Sequence, residues 1–454
     1  MKSEDMIPST PHTMHNANAR TAIAIALVAG LAALLIRWYF VTHAEVLQPV
    51  YQDWGDAGHF YRYAWNLVHH GLFSSAAPDS ANPVSDGFRD PAYPAFLAMG
   101  MAITGDYDRW YAIIILAQVM LGAVTVTCAL LAVRDALPTW LLGVAAVAMV
   151  LWPHLVSIPA YVLSENLTAP FCALTALALR EAAVRRSTAY ALVGGLALAV
   201  AALSNAALTP GVLLLALAFA WKRTIPRRQI LVFLVASAVP LLAWGIRNAG
   251  LSGDLSPSMR AEVNLVQGSW PTYHAAAQLA SAENPVGLQT IDAINLEIAN
   301  LHIDHVQGLK EIAKRMSRAP GTYVAWYLGK PALLWGWEIG LGSGGIYMYP
   351  TRNSPFITNP VMKAVEATAY ILNGVLAALA LAGAIIVLAR RAPSAALLTF
   401  ALTAAWVTLV YGVLQSDARY STPYRPAEIV LACVAMSTAL TYVRARISTA
   451  PAGP

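Results

Sequence analysis

The stretch Thr21-Ala-Ile-Ala-Ile-Ala-Leu-Val-Ala-Gly-Leu-Ala-Ala-Leu-Leu-Ile-Arg-Trp-Tyr-Phe-Val41 decides the class of fold. A helix needs about 20 predominantly apolar residues to cross the hydrocarbon core of a bilayer, and this run supplies them. Its end, Arg37-Trp38-Tyr39-Phe40, lacks the small-residue cleavage pattern of a secretory signal, so it reads as a retained first span. Runs of the same texture recur, for example at 111–133 and 364–388. Of the 454 residues, 58% are hydrophobic and 12% charged. No soluble domain of this size needs that much apolar matter for its core, so lipid is the solvent for most of the chain.

Ten spans are expected, at 21–41, 110–133, 139–157, 161–180, 188–206, 208–221, 229–247, 364–389, 394–415 and 426–443. Two shorter segments, 91–104 and 326–341, are broken by Pro or Gly and read as re-entrant or interfacial. Irregular backbone at membrane depth survives only against protein or a wet cavity. The net charge of +5 does not indicate nucleic-acid binding. The basic residues sit in small clusters between apolar runs: Arg180, Arg185 and Arg186; Lys222, Arg223, Arg227 and Arg228; Arg390 and Arg391; Arg444 and Arg446. That is the positive-inside pattern, and it leaves the other loops facing outward. The three cysteines, Cys128, Cys172 and Cys433, lie far apart inside apolar runs and read as packing residues.

The chain therefore divides into a cytoplasmic tail, 1–20, and an N-terminal membrane module, 21–248, which includes a long outward loop, 42–90. An outward subdomain of helices follows at 249–325, then a C-terminal membrane module, 326–446, and a tail, 447–454. Loops this long in a compact protein usually carry function.

Within the first loop, Asp53-Trp-Gly-Asp56-Ala-Gly-His59-Phe60-Tyr61-Arg-Tyr-Ala64-Trp-Asn-Leu67 places Phe60, Ala64 and Leu67 at helical spacing after Asp56. This reads as an amphipathic interfacial helix with Asp56 at its start. There the carboxylate either caps free N–H groups or does chemistry. Arg89-Asp-Pro-Ala-Tyr93-Pro94 leads into the 91–104 segment, and Arg89 either holds a phosphate or pairs with Asp86 or Asp90. Glu165 stands at the outward start of a span, where an ionisable group is by default a functional-site hypothesis. Arg247-Asn248 and Asp417-Ala-Arg419-Tyr420 lie at outward ends of spans. Positive charge there runs against the positive-inside bias, and an anionic partner such as phosphate would explain it. No nucleotide phosphate loop and no His-Glu-x-x-His pattern is present. His302 and His305, with Asp304 between them, read as a solvated helix face rather than a metal site.

Taken together, Asp56 with Phe60 and Ala64, Arg89-x-Pro-x-Tyr-Pro, Ser164-Glu165-Asn166-Leu167, Arg247-Asn248-x-x-x-Ser-Gly and Arg419-Tyr420-x-x-Pro resemble the ordered landmarks of GT-C superfamily glycosyltransferases. The bacterial branch related to protein O-mannosyltransferases and lipid A aminoarabinose transferases is the most similar. The stretch from Arg318 to Tyr323 with Lys330 to Trp335 adds to that likeness, which covers about residues 20–445. The resemblance implies an all-α polytopic membrane protein with a GT-C-like helix bundle, outward amphipathic helices and a small outward loop subdomain. It further implies a bacterial inner-membrane enzyme that moves a sugar, with inversion, from a polyprenyl-phosphate donor to a glycolipid, polysaccharide or protein acceptor on the periplasmic or extracellular side. Carried over by position, Asp56 is the base, with Asp53 as the alternative, and Glu165 is the second acid. Arg247, helped by Arg89 or Arg419, binds the donor phosphate. His59, Tyr61, Tyr93, Asn248 and Tyr420 line the cavity. No metal is required, although a divalent cation bridging the acids and the phosphate stays open. Unlike that branch, the chain ends about ten residues after Arg444, so acceptor recognition is expected to fall to the outward loops, chiefly 249–325. A transporter or flippase of lipid-linked sugar is the competing class, but its acids would be expected nearer the bilayer midplane.

Overall fold

The computed structural model describes residues 12–50, 55–251 and 255–448. Helix α1 (His12–His43) leads to a two-residue strand, β1 (Glu45–Val46). The N-terminal half continues with α2 (Asp56–His70), α3 (Ala92–Thr104), α4 (Tyr107–Val133), α5 (Thr139–Leu151), α6 (Pro153–Ser157), α7 (Glu165–Arg185), α8 (Thr188–Ala202), α9 (Gly211–Lys222) and α10 (Arg227–Asn248). Five helices form the next stretch: α11 (Pro257–Gly268), α12 (Tyr273–Ser281), α13 (Pro285–Ile303), α14 (His305–Ser317) and α15 (Pro320–Leu334). Strand β2 (Thr351–Arg352) precedes α16 (Pro355–Thr358), α17 (Pro360–Ala389), α18 (Ala395–Val413), α19 (Ala418–Ser421) and α20 (Arg425–Ser448).

Among the described residues, seven helical stretches are long and apolar enough to cross a membrane: α1, α4, α7, α10, α17, α18 and the run through α19 and α20. An eighth is the α5–α6 pair, bent by 52°, where Pro153 begins a new helix after Trp152. The spans expected at 188–206 and 208–221 are instead the short helices α8 and α9, of 15 and 12 residues. The break lies at Asn205, whose side-chain oxygen accepts from Ala207 N at 3.2 Å and whose amide donates to the Tyr411 hydroxyl at 3.0 Å. A side chain that bonds locally to the backbone competes with continuation of a helix.

Membrane solvation explains the surface. On α1, Ala22, Ala26, Ala29 and Ala33 are buried while Leu27, Val28, Leu31 and Leu35 are exposed. Small residues let backbones approach, and large aliphatics face lipid. The same logic holds where α8 crosses α10: a Cβ on Gly195 would lie 2.5 Å from the Phe233 carbonyl oxygen.

Helices α11–α14 surround a core of their own made of Val266, Ile294, Ile298, Leu301 and Ile312. Three attachments hold this unit against the bundle. Arg260 pairs with Asp90 at 2.8 Å, Gln415 N donates to Asn264 O at 2.9 Å, and the buried Lys330 ammonium donates to the carbonyls of Gly268 at 2.9 Å and Val413 at 3.1 Å. Gly268 is required there, because a Cβ would fall 2.3 Å from the Leu414 carbonyl carbon.

Candidate functional site

The site begins with the turn before α2. Gly55 has φ 87°, a conformation that favours glycine, and it delivers Asp56 as the first residue of the helix. Residues Phe60, Tyr63 and Ala64 on the buried face anchor α2, and Gly71 closes it in the left-handed conformation. The antiparallel pair Glu45–Arg352 and Val46–Thr351 brings the 347–352 loop beside α2. From that loop the Tyr349 oxygen accepts the Ala57 N–H at 3.2 Å.

The N-cap of α2 is Gly55, and Asp56 stands at the first helical position. Each carboxylate oxygen meets an arginine from a distant segment. Oδ1 accepts from Arg89 at 2.6 Å, and Oδ2 accepts from Arg419. Arg419 Nε also faces Glu165 Oε1 at 3.1 Å, and Arg89 donates to His59 Nδ1 at 3.1 Å. Two acids and two arginines, drawn from α2, the loop before α3, α7 and α19, thus form one chain of charge. Burial would raise the Asp56 carboxyl, but Arg89 and Arg419 outweigh it and hold the group far below the usual carboxylate range. His59 is lowered to about 4, by burial first and then by Arg89, so at neutral pH its free nitrogen accepts.

Other expected residues lie elsewhere. Arg89 pairs with neither Asp86 nor Asp90: Asp86 accepts from Tyr63 and from the Ser75 amide and hydroxyl, both at 2.7 Å, and Asp90 is taken by Arg260. The Arg247 guanidinium donates to the carbonyls of Asp86 and Phe73 and to Asn248 Oδ1, and it lies over the rings of Phe73 and Trp244. Arg247 and Asn248 therefore brace the first long loop, and their recorded contacts do not include the Asp56 cluster. Tyr61 packs against Trp65, Tyr107 and Trp110. Tyr93 is buried, with its hydroxyl donating to Gln118 at 2.5 Å and its ring edge-on to Phe60. Tyr420 stacks on Tyr411, and the Arg419 guanidinium lies over its ring. Asp53 lies outside the described residues.

Sequence reasoning missed Tyr349, Tyr273 and the ordering role of Asp417. The Asp417 carboxylate is buried and accepts from Arg419 N at 2.8 Å and Leu341 N at 3.0 Å, with His274 Nδ1 at 3.7 Å. Tyr273, the first residue of α12, is pushed up to about 12 by burial, then by the charges of Asp56 and Asp417. His302 and His305 clamp Glu262 at 2.8 and 3.0 Å, and Asp304 caps α14. These residues are therefore partly engaged inside the unit rather than spread on a solvated face. Among the described residues no three His, Cys, Asp or Glu side chains gather as a metal-ligand set. Asp56 and Glu165 already face arginines.

With this geometry in hand, solved structures can be compared. An oligosaccharyltransferase from Archaeoglobus fulgidus, tethered to an acceptor peptide containing the NVT sequon, superposes with TM-score 0.51 at 13% identity over 94% of this chain. The oligosaccharyltransferase AglB from the same organism, in complex with an inhibitory peptide and a dolichol-phosphate, gives 0.50 at 15% identity over 95%. The fold is GT-C. This chain spans about half the length of those proteins, 50% and 52%. No protein-family model matches it, and no curated protein does. At such identity the likeness is one of architecture. Within that GT-C architecture, the Asp56–Arg89–Arg419–Glu165 cluster stands where three separate chain segments converge on the start of α2.

Proposed function

We propose that the chain is an integral membrane glycosyltransferase that takes a sugar from a polyprenyl-phosphate donor and passes it, with inversion, to an envelope glycolipid, polysaccharide or protein on the non-cytoplasmic face of a bacterial inner membrane. The observation that carries the reading is a single carboxylate, Asp56, held between two arginines from different segments. A carboxylate and a pair of forked cations are what transfer from a phosphate-linked donor needs: a base for the acceptor hydroxyl and a cradle for the leaving phosphate.

The same geometry orders the steps. Gripped by two guanidiniums, Asp56 is a weak base. A donor phosphate draws Arg89 and Arg419 toward its own oxygens, and the carboxylate regains proton affinity as its counter-charges turn away. The acceptor O–H proton then passes to Asp56 while the acceptor oxygen bonds to the sugar C1 from the face opposite the phosphate. The C1–O bond breaks, and its electron pair leaves on the lipid phosphate, where Arg89 and Arg419 neutralise the growing charge. Glu165 keeps Arg419 in place during the exchange. Because Arg247 is engaged with loop carbonyls, the phosphate role falls to Arg89 and Arg419, and Arg247 supports the loop that presents Arg89. Helices α11–α14 receive the acceptor in this reading.

Purified protein incubated with a polyprenyl-phosphate sugar and a mixed envelope extract should release free polyprenyl phosphate, and this release should stop in Asp56→Asn. Sugar-lipid that crosses a proteoliposome intact, with no lipid phosphate released, would instead identify a flippase.

A further inference from the structure

Glu165 also lines a small cavity of about 20 Å³, whose wall does not include Arg419. Its wall includes Arg37, Gly122, Thr125, Glu165, Asn166 and Thr422. Arg37 stands about four-fifths of the way along α1 and is 1% exposed. Its terminal nitrogens reach only backbone, Ala33 O at 3.3 Å and Met149 O at 3.2 Å, and its Nε has no partner. The buried Thr422 hydroxyl has none either. Among the described residues no carboxylate lies within salt-bridge distance of Arg37. Gly122 makes room for it, since a Cβ there would sit 2.8 Å from Arg37 Cδ and Nε.

A charged group in a bilayer core is retained only when something meets the charge. The one acidic side chain on this cavity wall is Glu165, whose Oε1 is committed to Arg419. A water needs roughly 10–15 Å³ of such space and two to four polar partners, and the cavity offers both. We propose that ordered water in this cavity links Arg37 Nε and the Thr422 hydroxyl to the free side of the Glu165 carboxylate. Arg37 is then a positioning residue of the site. It touches no reacting atom, but it fixes Glu165, which holds Arg419 against Asp56. The solvent link stands on the cavity alone, whereas the positioning role rests on the transferase reading.

The test uses the full chain in lipid nanodiscs. High-resolution cryo-electron microscopy of the wild type should show solvent density between Arg37 and Glu165, and Arg37→Met should lose it. Direct contact of the two side chains, or a cavity without ordered solvent, overturns the proposal, and either result is independent of any transfer activity. In the transfer assay Arg37→Met should lower kcat about tenfold or more, the scale of lost support around a site, with donor KM changed less than about threefold. Arg37→Lys should recover most of the rate. Should Arg37→Met fail to fold, Gly122→Ala, which keeps the charge but pushes the guanidinium off its seat, is expected to lower kcat in the same way. An unchanged kcat in a folded variant leaves Arg37 a packing residue. If the wild type shows no transfer, the density still decides the cavity and the transferase reading alone fails.

Discussion

Arg419 and Arg425 lie six residues apart, and both pair with a carboxylate inside the protein, yet their surroundings differ. Arg425 is 0% exposed. It bonds Glu428 at 2.7 Å, Asn373 Oδ1 at 3.2 Å and the Gly336 carbonyl at 2.6 Å, so most of its donors end on groups fixed by the helices. The Arg419 side chain is 21% exposed, as is that of Asp56. Its two anions come from α2 and α7, and neither is on its own segment. A sealed pair has one arrangement because removing either partner strands a buried charge. A half-open cluster joining four segments can exchange partners when another anion arrives. The first holds the C-terminal bundle together, and the second has the properties of a binding site.

That contrast breaks most sharply at Asp56. Asp56→Asn should leave the protein folded while transfer falls by about 10²–10⁴-fold, the range of acid–base catalysis. Rate and melting temperature measured on one preparation check it: parallel loss of both would make the cluster structural. Arg425→Met should do the reverse. Stranding Glu428 is expected to cost about 3–5 kcal/mol of stability, read as a lowered unfolding midpoint in detergent. The double variant Arg425→Met/Glu428→Leu should recover much of that loss, because an apolar pair of similar size often replaces a buried ion pair at little cost. If the single variant melts like the wild type, the sealed pair holds nothing.

How much of this was legible depends on the kind of signal. The helical membrane bundle could be read because apolar runs such as 21–41 have no other solvent. The start of α2 could be read because Asp56 precedes a helical spacing, and the structure begins that helix at Asp56. The two segments at 188–206 and 208–221 were read as full spans, whereas α8 and α9 are 15 and 12 residues long, because hydropathy does not register where Asn205 ends the first of them through its bond to Tyr411. Arg247 shows a deeper limit. An outward arginine at the end of a span signals an anionic partner, but backbone carbonyls of a folded loop satisfy a guanidinium too, and they carry no mark in sequence. Tyr349 and Arg37 act through contacts with residues far away in the chain, which no local pattern contains.

A smaller effect is expected where helices α11–α14 attach to the bundle. Arg260 joins α11 to Asp90, and both side chains are less than a fifth exposed. Arg260→Ala should cost about 2 kcal/mol, the scale of a hydrogen bond to a charged group. The cost should be local: amides of 257–268 should exchange faster, while those of α4 and α7 should not. Uniformly faster exchange would mean that the latch supports the whole fold rather than one lid.

The smallest effect should be a pH dependence from His59, which sharpens the comparison because it belongs to the half-open cluster alone. Its folded value is lowered to about 4 by burial and by Arg89, against about 6.5 in an unfolded chain. A base with a depressed value binds its proton more readily when unfolded. Its contribution to stability is therefore present above about pH 6.5 and is lost as pH falls toward 4. Asp56, whose carboxyl is held well below the usual range in the folded protein, begins to add to the loss only below about pH 5, where the unfolded carboxyl takes up protons, and it does so equally in the wild type and in His59→Gln. Protonated His59 also loses its lone pair, so Arg89 can no longer donate to it. The wild type should thus lose more melting temperature between pH 7 and pH 4.5 than His59→Gln does, because glutamine cannot take up a proton there. If the two curves stay parallel across the window, His59 is protonated in the folded protein too, and the second donation from Arg89 must be replaced by a contact that survives the charge.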